Sequence, residues 1–188
     1  MNYEWRLKIM SKDEIIVRNE YGFFEIKNKP SKKELQEYYA NKYYQEAQGS
    51  YELSYDKAEI KYLLNKIEQK HVVAKTISNI ETGSLLDVGS GEGFTLSHFD
   101  NLGWDCLGLD FSSEGIKSQN PEQARLLIQG DIFENLNDII KDDKKFDLIV
   151  LDNVLEHVLK PFELLANLNK IISDDGVLVV EVPNDFSL

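Results

Sequence analysis

The residues best suited to chemistry stand where apolar runs end. Leu85-Leu86 leads into Asp87-Val88-Gly89-Ser90-Gly91-Glu92-Gly93, and Leu107-Gly108-Leu109 into Asp110-Phe111-Ser112. Leu127-Ile128-Gln129 leads into Gly130-Asp131-Ile132, and Leu148–Leu151 into Asp152-Asn153-Val154-Leu155-Glu156-His157. Glycine lets a backbone approach a ligand closely and turn sharply into a helix. A carboxylate can accept both hydroxyls of a ribose, and Asp110 follows the glycine loop by about 20 residues, the spacing suited to that role. Phe111 offers a flat face to a base. Asp131 can accept from an exocyclic amine while the Ile132 backbone serves a ring nitrogen. The set suits a nucleoside.

The loop narrows which nucleoside. The dinucleotide fingerprint is G-x-G-x-x-G/A, whereas Gly89-Ser90-Gly91-Glu92-Gly93-Phe94 places Phe last. No Lys or Arg lies between Gly83 and Lys117, so a pyrophosphate would meet acids and no nearby side-chain cation. A helix N-terminus alone can bind phosphate, so a dinucleotide is disfavoured rather than excluded. No G-K-[ST] follows, which removes the P-loop reading. A cationic, phosphate-free nucleoside fits the acidic setting better.

His157 is the candidate general base, since imidazole is well suited to taking a proton from a hydroxyl. The alternative is that it opens a helix and shapes the pocket wall. Glu156 reads as a loop-ordering carboxylate, and the adjacent pair supplies no full ligand set, so no metal is expected. His71 falls on an apolar helical stripe and reads as a packed histidine, and His98 as a surface or packing residue.

Regular elements must carry these ends. From Ser84 onward, apolar strands at SLLDVG, DCLGLD, ARLLIQGD, FDLIVLDNV and, after a DDG turn, VLVVEVP alternate with helical segments. Strands apolar throughout and alternating with helices predict a doubly wound, mainly parallel α/β sheet of at least five strands. In such a sheet, ligands bind outside the carboxyl ends of the strands. Ahead of it, Ser54 is expected to cap a helix with Ile60, Leu64, Ile67, His71, Ala74 and Ser78 on one stripe and Leu63 and Ile77 beside it. The helix KPFELLANLNKII is expected to bury Phe162, Leu165, Leu168 and Ile172.

The ordered run LLDVGSGEGF, LGLDFS, GDIF, FDLIVLDNVLEHVLKPFELL and GVLVVEVPN resembles the class I, Rossmann-like methyltransferases that depend on S-adenosylmethionine. The likeness covers Ser84 to about Asn184, with LEHV after the fourth strand. It implies S-adenosylmethionine as cofactor, S-adenosylhomocysteine as product, and methyl transfer to a small-molecule acceptor. Carried over, Asp87, Gly89, Ser90, Gly91 and Gly93 would hold the methionine end. Asp110, Phe111 and Ser112 would bind ribose and flank adenine, Asp131 and Ile132 would read adenine, and Asn153 would close the loop under the sulfonium. The family's sheet has seven strands. This sequence ends after the fifth, so the C-terminal strands are expected to be missing and residues 54–188 to be a truncated domain.

Residues 1–53 form an expected N-terminal extension, with two short strands around Asn19–Gly22 and a tyrosine-rich helix capped at Ser31. Tyr38, Tyr39, Tyr43 and Tyr44 are candidates for a lid, with at least two of them packing instead as helix core. YGFFEIKNKPSKKELQEYYANKYY is similar to the lead-in of bacterial methyltransferases associated with sugar or surface-polysaccharide modification. Some of those carry a cysteine zinc ribbon, which a chain with Cys106 as its one cysteine cannot form.

The composition agrees. The 188 residues, 42% hydrophobic and 29% charged, suit one globular domain with an appendage. With 21 Lys and Arg against 33 acids and a net charge of -12, the chain lacks the basic face of a nucleic-acid binder. No membrane span and no signal segment is read, so a cytoplasmic location is expected. The oligomeric state is not encoded legibly. Two other readings stand beside methyl transfer: a non-catalytic cofactor-binding or assembly module, and a nicotinamide-dependent oxidoreductase.

Overall fold

The architecture is taken from a computed structural model that describes residues 16–35 and 55–183. It divides into two units, Met1–Tyr43 and Tyr44–Leu188. In the first, β1 (Ile16–Arg18) pairs antiparallel with β2 (Phe24–Ile26). The turn between them needs a left-handed residue, supplied by Gly22 at φ 92, while Asn19 Oδ1 accepts from Tyr21 N at 3.0 Å. Ser31 Oγ accepts from Glu34 N at 3.3 Å and Glu34 Oε2 from Ser31 N at 2.9 Å, the expected capping box. The tyrosines at 38, 39, 43 and 44 lie outside the described residues.

The second unit is a parallel sheet in the order β5-β4-β3-β6-β7, which is the doubly wound order. Its strands are β3 (Ser84–Val88), β4 (Asp105–Asp110), β5 (Leu127–Gln129), β6 (Phe146–Asp152) and β7 (Ile172–Glu181). Helices α1 (Lys57–Ser78), α2 (Phe94–Asn101), α3 (Glu114–Gln119), α4 (Ile132–Lys141) and α5 (Pro161–Ile171) flank it. Alternation along β3 feeds two cores. Leu85 joins Ile67, Leu96, Phe99, Trp104 and Leu148 on the α1–α2 side. Leu86 and Val88 join Leu136, Ile149, Leu164, Leu168 and Ile171 on the α4–α5 side. Such burial contributes about 1.5–3 kcal/mol per large apolar side chain. Asp147 Oδ2 pins β3 to β6 at the amino edge, accepting from Ser84 N at 2.8 Å and Ser84 Oγ at 2.9 Å.

Several boundaries differ from the sequence expectation, each for a local reason. α1 is capped by Asp56, not Ser54: Asp56 Oδ1 accepts from Ala58 N and Glu59 N, and Glu59 Oε2 accepts from Asp56 N at 2.7 Å. A box at Ser54, itself outside the described residues, would place Lys57 where a carboxylate is required. Ile67 and Ala74 are buried as expected, but Ile77 is 69% exposed. β5 is shorter than ARLLIQGD because Pro121–Leu126 winds as a 3-10 helix. The buried face of α5 is Leu164, Asn167, Leu168 and Ile171, with Phe162 exposed and Ile172 already in β7. The expected DDG turn lies inside β7 as a bulge, where Phe146–Leu148 runs against Ile172–Val177. No helix among the described residues is long and apolar enough to cross a membrane.

Candidate functional site

The chain leaves β3 toward β4 and β5 on one side and returns to β6 and β7 on the other, so the order reverses beside β3. The crevice belongs at that reversal. Asp87 stands there, 3% exposed, with its Oδ2 buried and without a hydrogen-bond partner. Burial pushes its carboxyl up to about 7, with the charges of Asp152 and Asp110 adding to the shift and Lys70 opposing it.

The glycine loop folds from β3 onto the top of β4. Gly89 N and Ser90 N both donate to Leu109 O, at 2.7 and 3.1 Å, and Ser90 Oγ donates to Asp87 O at 2.9 Å. Gly89 and Gly93 both hold φ 77, and there is no room for a side chain at either. A Cβ on Gly89 would meet Val154 Cγ2 at 2.3 Å, and one on Gly93 would meet Ile116 Cγ1 at 2.6 Å. Gly93 then caps α2, so the first turn of that helix opens toward the loop. Tyr55 clasps the loop from outside: its hydroxyl donates to Glu92 Oε1 and Oε2 at 2.9 and 2.8 Å, and its ring meets Phe94 edge-on. Burial raises the Glu92 pKa and the Tyr55 hydrogen bond opposes that rise.

Asp110 brackets the loop and its own turn. Its Oδ2 accepts from Gly91 N at 2.8 Å and its Oδ1 from Ser112 N at 2.9 Å. A carboxylate has about four lone-pair sites, so it can accept more than these two. Ser112 Oγ in turn accepts from Glu114 N at 3.2 Å, and Phe111 is half-buried beside it. The end of β5 is tied in through Gly130 N, which donates to Asp110 O at 2.8 Å. Asp131 caps α4, its Oδ1 accepting from Phe133 N and Glu134 N at 2.9 and 3.2 Å. Ile132 opens that helix, where the backbone N–H has no intrahelical acceptor.

On the other side Asn153 is left-handed at φ 52, with its N–H on Glu181 O at 2.9 Å and its Nδ2 on Asp152 Oδ1 at 2.8 Å. His157 closes the short 3-10 turn Leu155–His157, its N–H donating to Val154 O at 2.9 Å. Its side chain is 48% exposed, and Nε2 lies 3.6 Å from Glu156 Oε1. The loop, Asp110, Ser112 and the β5 end thus form one hydrogen-bonded set, Asn153 belongs to the β6–β7 end, and His157 sits on an outer turn.

Sequence reasoning missed the cations. α1 packs along β7 and brings Lys70 onto Asp152 and Glu181, 2.8 Å from the Oε2 of Glu181, and Lys66 onto Glu181. The expectation of no nearby side-chain cation concerned the loop acids Asp87 and Glu92; Lys70 is shared between Asp152 and Glu181 instead, and only its charge reaches Asp87. Burial raises the Glu181 pKa, but its hydrogen bonds to Lys66 and Lys70 prevail and hold it below the usual value. On α1 the two lysines sit four residues apart and read as an ordinary solvated face.

A family profile described as "Methyltransferase domain" matches residues 54–188. The chain is 28% identical over 129 residues to a ubiquinone biosynthesis O-methyltransferase of Glaesserella parasuis serovar 5, covering 65% of this chain and 54% of that protein. It is 24% identical over 125 residues to the protein of the same name in Rickettsia bellii, covering 66% and 50%. The chain thus spans about half the length of the curated relatives it matches. Among solved structures, it is similar to a SAM dependent methyltransferase from Archaeoglobus fulgidus, with TM-score 0.58 and 23% identity, over 69% of this chain and 55% of that one. That likeness extends to the fold. With some seven-tenths of its length matched by the family profile, the chain belongs to the methyltransferase-domain family.

Proposed function

We propose that the carboxyl edge around β3 binds S-adenosylmethionine and that the protein transfers its methyl group to a small-molecule acceptor. The observation that carries this reading is Asp87: a buried carboxyl oxygen without a partner, beside a loop with no room for a side chain at Gly89 or Gly93. A cationic amino-acid-bearing group satisfies that oxygen, and a pyrophosphate does not. The residues therefore fit the cofactor. Asp87, Gly89, Ser90, Gly91 and Gly93 would hold its methionine end, Ser90 through its backbone because its hydroxyl is already given to Asp87 O. Asp110, Phe111 and Ser112 would take the ribose and one face of adenine. Asp131 and Ile132 would read the adenine edge, and Asn153 would close the loop from the β6 side.

When bound, the cofactor supplies a methyl already activated on a sulfonium. The protein's own contribution is positioning: rigid glycine turns and the Asp110 bracket fix one partner so that the acceptor meets it in line. For a hydroxyl acceptor, His157 would take the proton through its exposed imidazole. The O-methyltransferase relatives support an oxygen acceptor as the first class to assay, and the N-terminal resemblance supports a sugar hydroxyl within it.

Calorimetry with S-adenosylhomocysteine and with NAD tests the site. Binding of the first and not the second is expected, and NAD binding alone would replace this reading with the oxidoreductase one. A methyl-transfer panel of sugars, other hydroxyl compounds and amines then tests the reaction. Cofactor binding without turnover of any acceptor would favour the non-catalytic module.

A further inference from the structure

Away from the strand ends, α1 and α2 bring three ligand-type side chains together. Glu68 and His71 are three residues apart on α1 and so share a face. His98 meets them from the last turn of α2. His98 Nε2 lies 3.4 Å from Glu68 Oε2 and 3.5 Å from His71 Nδ1, and the three donor atoms all lie within 4.8 Å of one another. Around tetrahedral zinc, bonds of about 2.0–2.2 Å separate neighbouring donors by about 3.4 Å. Two of the three separations already match. Glu68, 56% exposed at its side chain, is free to swing and close the third.

The imidazoles are oriented for this. The His71 ring is packed 4.9 Å from Phe99 and 6.0 Å from Trp104 between centroids, and its Nε2 is buried without a hydrogen-bond partner. Nδ1 is the nitrogen that faces His98 Nε2. His98 is held edge-on to Phe99 at 5.1 Å. Burial lowers the His98 pKa, with the Glu68 charge opposing and His71 adding to the shift.

We propose that Glu68, His71 and His98 form a site for one divalent transition-metal ion, with zinc as the reference ion and water as the fourth ligand on the Glu68 side. Two imidazole nitrogens and one carboxylate oxygen suit zinc, nickel or copper and are a poor set for magnesium or calcium. The ion would brace α1 against α2. α1 carries Lys66 and Lys70, and α2 follows its Gly93 cap, so the brace would act on both walls of the candidate cofactor site without touching it.

The test uses the untagged 188-residue chain, stripped with a chelator, and zinc chloride as the probe. Calorimetry is expected to give one equivalent bound, and zinc at about one hundred times its Kd to raise Tm by about 5–10 °C. Glu68→Gln, on the exposed side, is expected to weaken zinc by about tenfold, and His98→Gln by at least about a hundredfold. His157→Gln is expected to leave zinc binding unchanged, and magnesium to produce no shift. Cobalt(II) is expected to show the intense visible absorption of a four-coordinate site in the wild-type chain and lose it in His98→Gln. Absence of zinc binding, or binding that survives both Glu68→Gln and His98→Gln, would overturn the proposal. Circular dichroism and chelated-state Tm of each variant separate a lost ligand from a lost fold.

Discussion

The acids on the two sides of β3 are satisfied by different partners. On the β4–β5 side, Asp110 and Asp131 accept backbone N–H groups from their own turns or from the facing glycine loop. On the β6–β7 side, Asp152 and Glu181 take ammonium groups from α1, whose lysines lie 82 and 115 residues away in sequence. Asp87, between them, has an oxygen with neither. Backbone-held acids need only a correctly folded loop, whereas lysine-held acids need a helix docked across the sheet. The first side should be rigid and local in its failures, and the second should fail with tertiary packing.

Five measurements would break or sharpen that contrast. The largest effect is expected from Gly89→Ala, which forces a Cβ to 2.3 Å from Val154 Cγ2 at a left-handed φ of 77. Stability should fall by about 2–4 kcal/mol in urea denaturation, and S-adenosylhomocysteine affinity should fall with it. An unchanged midpoint would mean that the loop does not pack against Val154. Next, Lys70→Met removes the cation shared by Asp152 and Glu181, with an expected loss of about 2–3 kcal/mol. If the two sides are as separate as described, cofactor affinity should change less than stability.

Asp110→Ala should show the opposite balance, weakening S-adenosylhomocysteine by about 1–3 kcal/mol in calorimetry as the charged bracket is lost. Equal affinity in wild type and variant would place the ribose elsewhere. Asp87 gives a pH signature. Its folded pKa, about 7, exceeds the ordinary 3.8, so the folded chain holds a proton that the unfolded chain has released. Its contribution to stability therefore falls as pH rises from about 4 to about 7, by at most about 1.4 kcal/mol per unit. Asp87→Asn should remove that slope, and parallel pH curves for the two proteins would contradict it. The smallest effect is expected from Tyr55→Phe, which deletes the hydrogen bonds to Glu92 and should cost about 1 kcal/mol by thermal denaturation.

The same contrast explains what could be read from sequence. The succession of strands and helices and the acids at the ends of the first four strands were legible because apolar runs, turns and glycines are local signals. Asp110 and the glycine loop were found by spacing, and the structure joins them by a hydrogen bond from Gly91. Their roles toward a ligand rest on the family resemblance. Lys66 and Lys70 were not legible, since nothing in a lysine pair on a helix says which distant carboxylate it will meet. The α5 face was misread because Phe162, Leu164, Leu165, Leu168, Ile171 and Ile172 offer two overlapping apolar stripes, and packing against the sheet selects Leu164, Leu168 and Ile171. Pro121 shortened β5 by favouring a 3-10 turn before it. Tyr55 carried no signal beyond its aromatic type.

The clasp between α1 and β7 also sets an order in time. Lys66 meets Glu181 across 115 residues, and the ribosome adds about 5–20 residues each second. Lys66 is therefore added roughly 6–23 seconds before Glu181. During that interval both partners of the Tyr55–Glu92 contact, 37 residues apart, have already been synthesised, and Asp152, the other partner of Lys70, also precedes Glu181. The residues of the Tyr55–Glu92 clasp are thus synthesised first, and Glu181, which completes the lysine clasp, comes last.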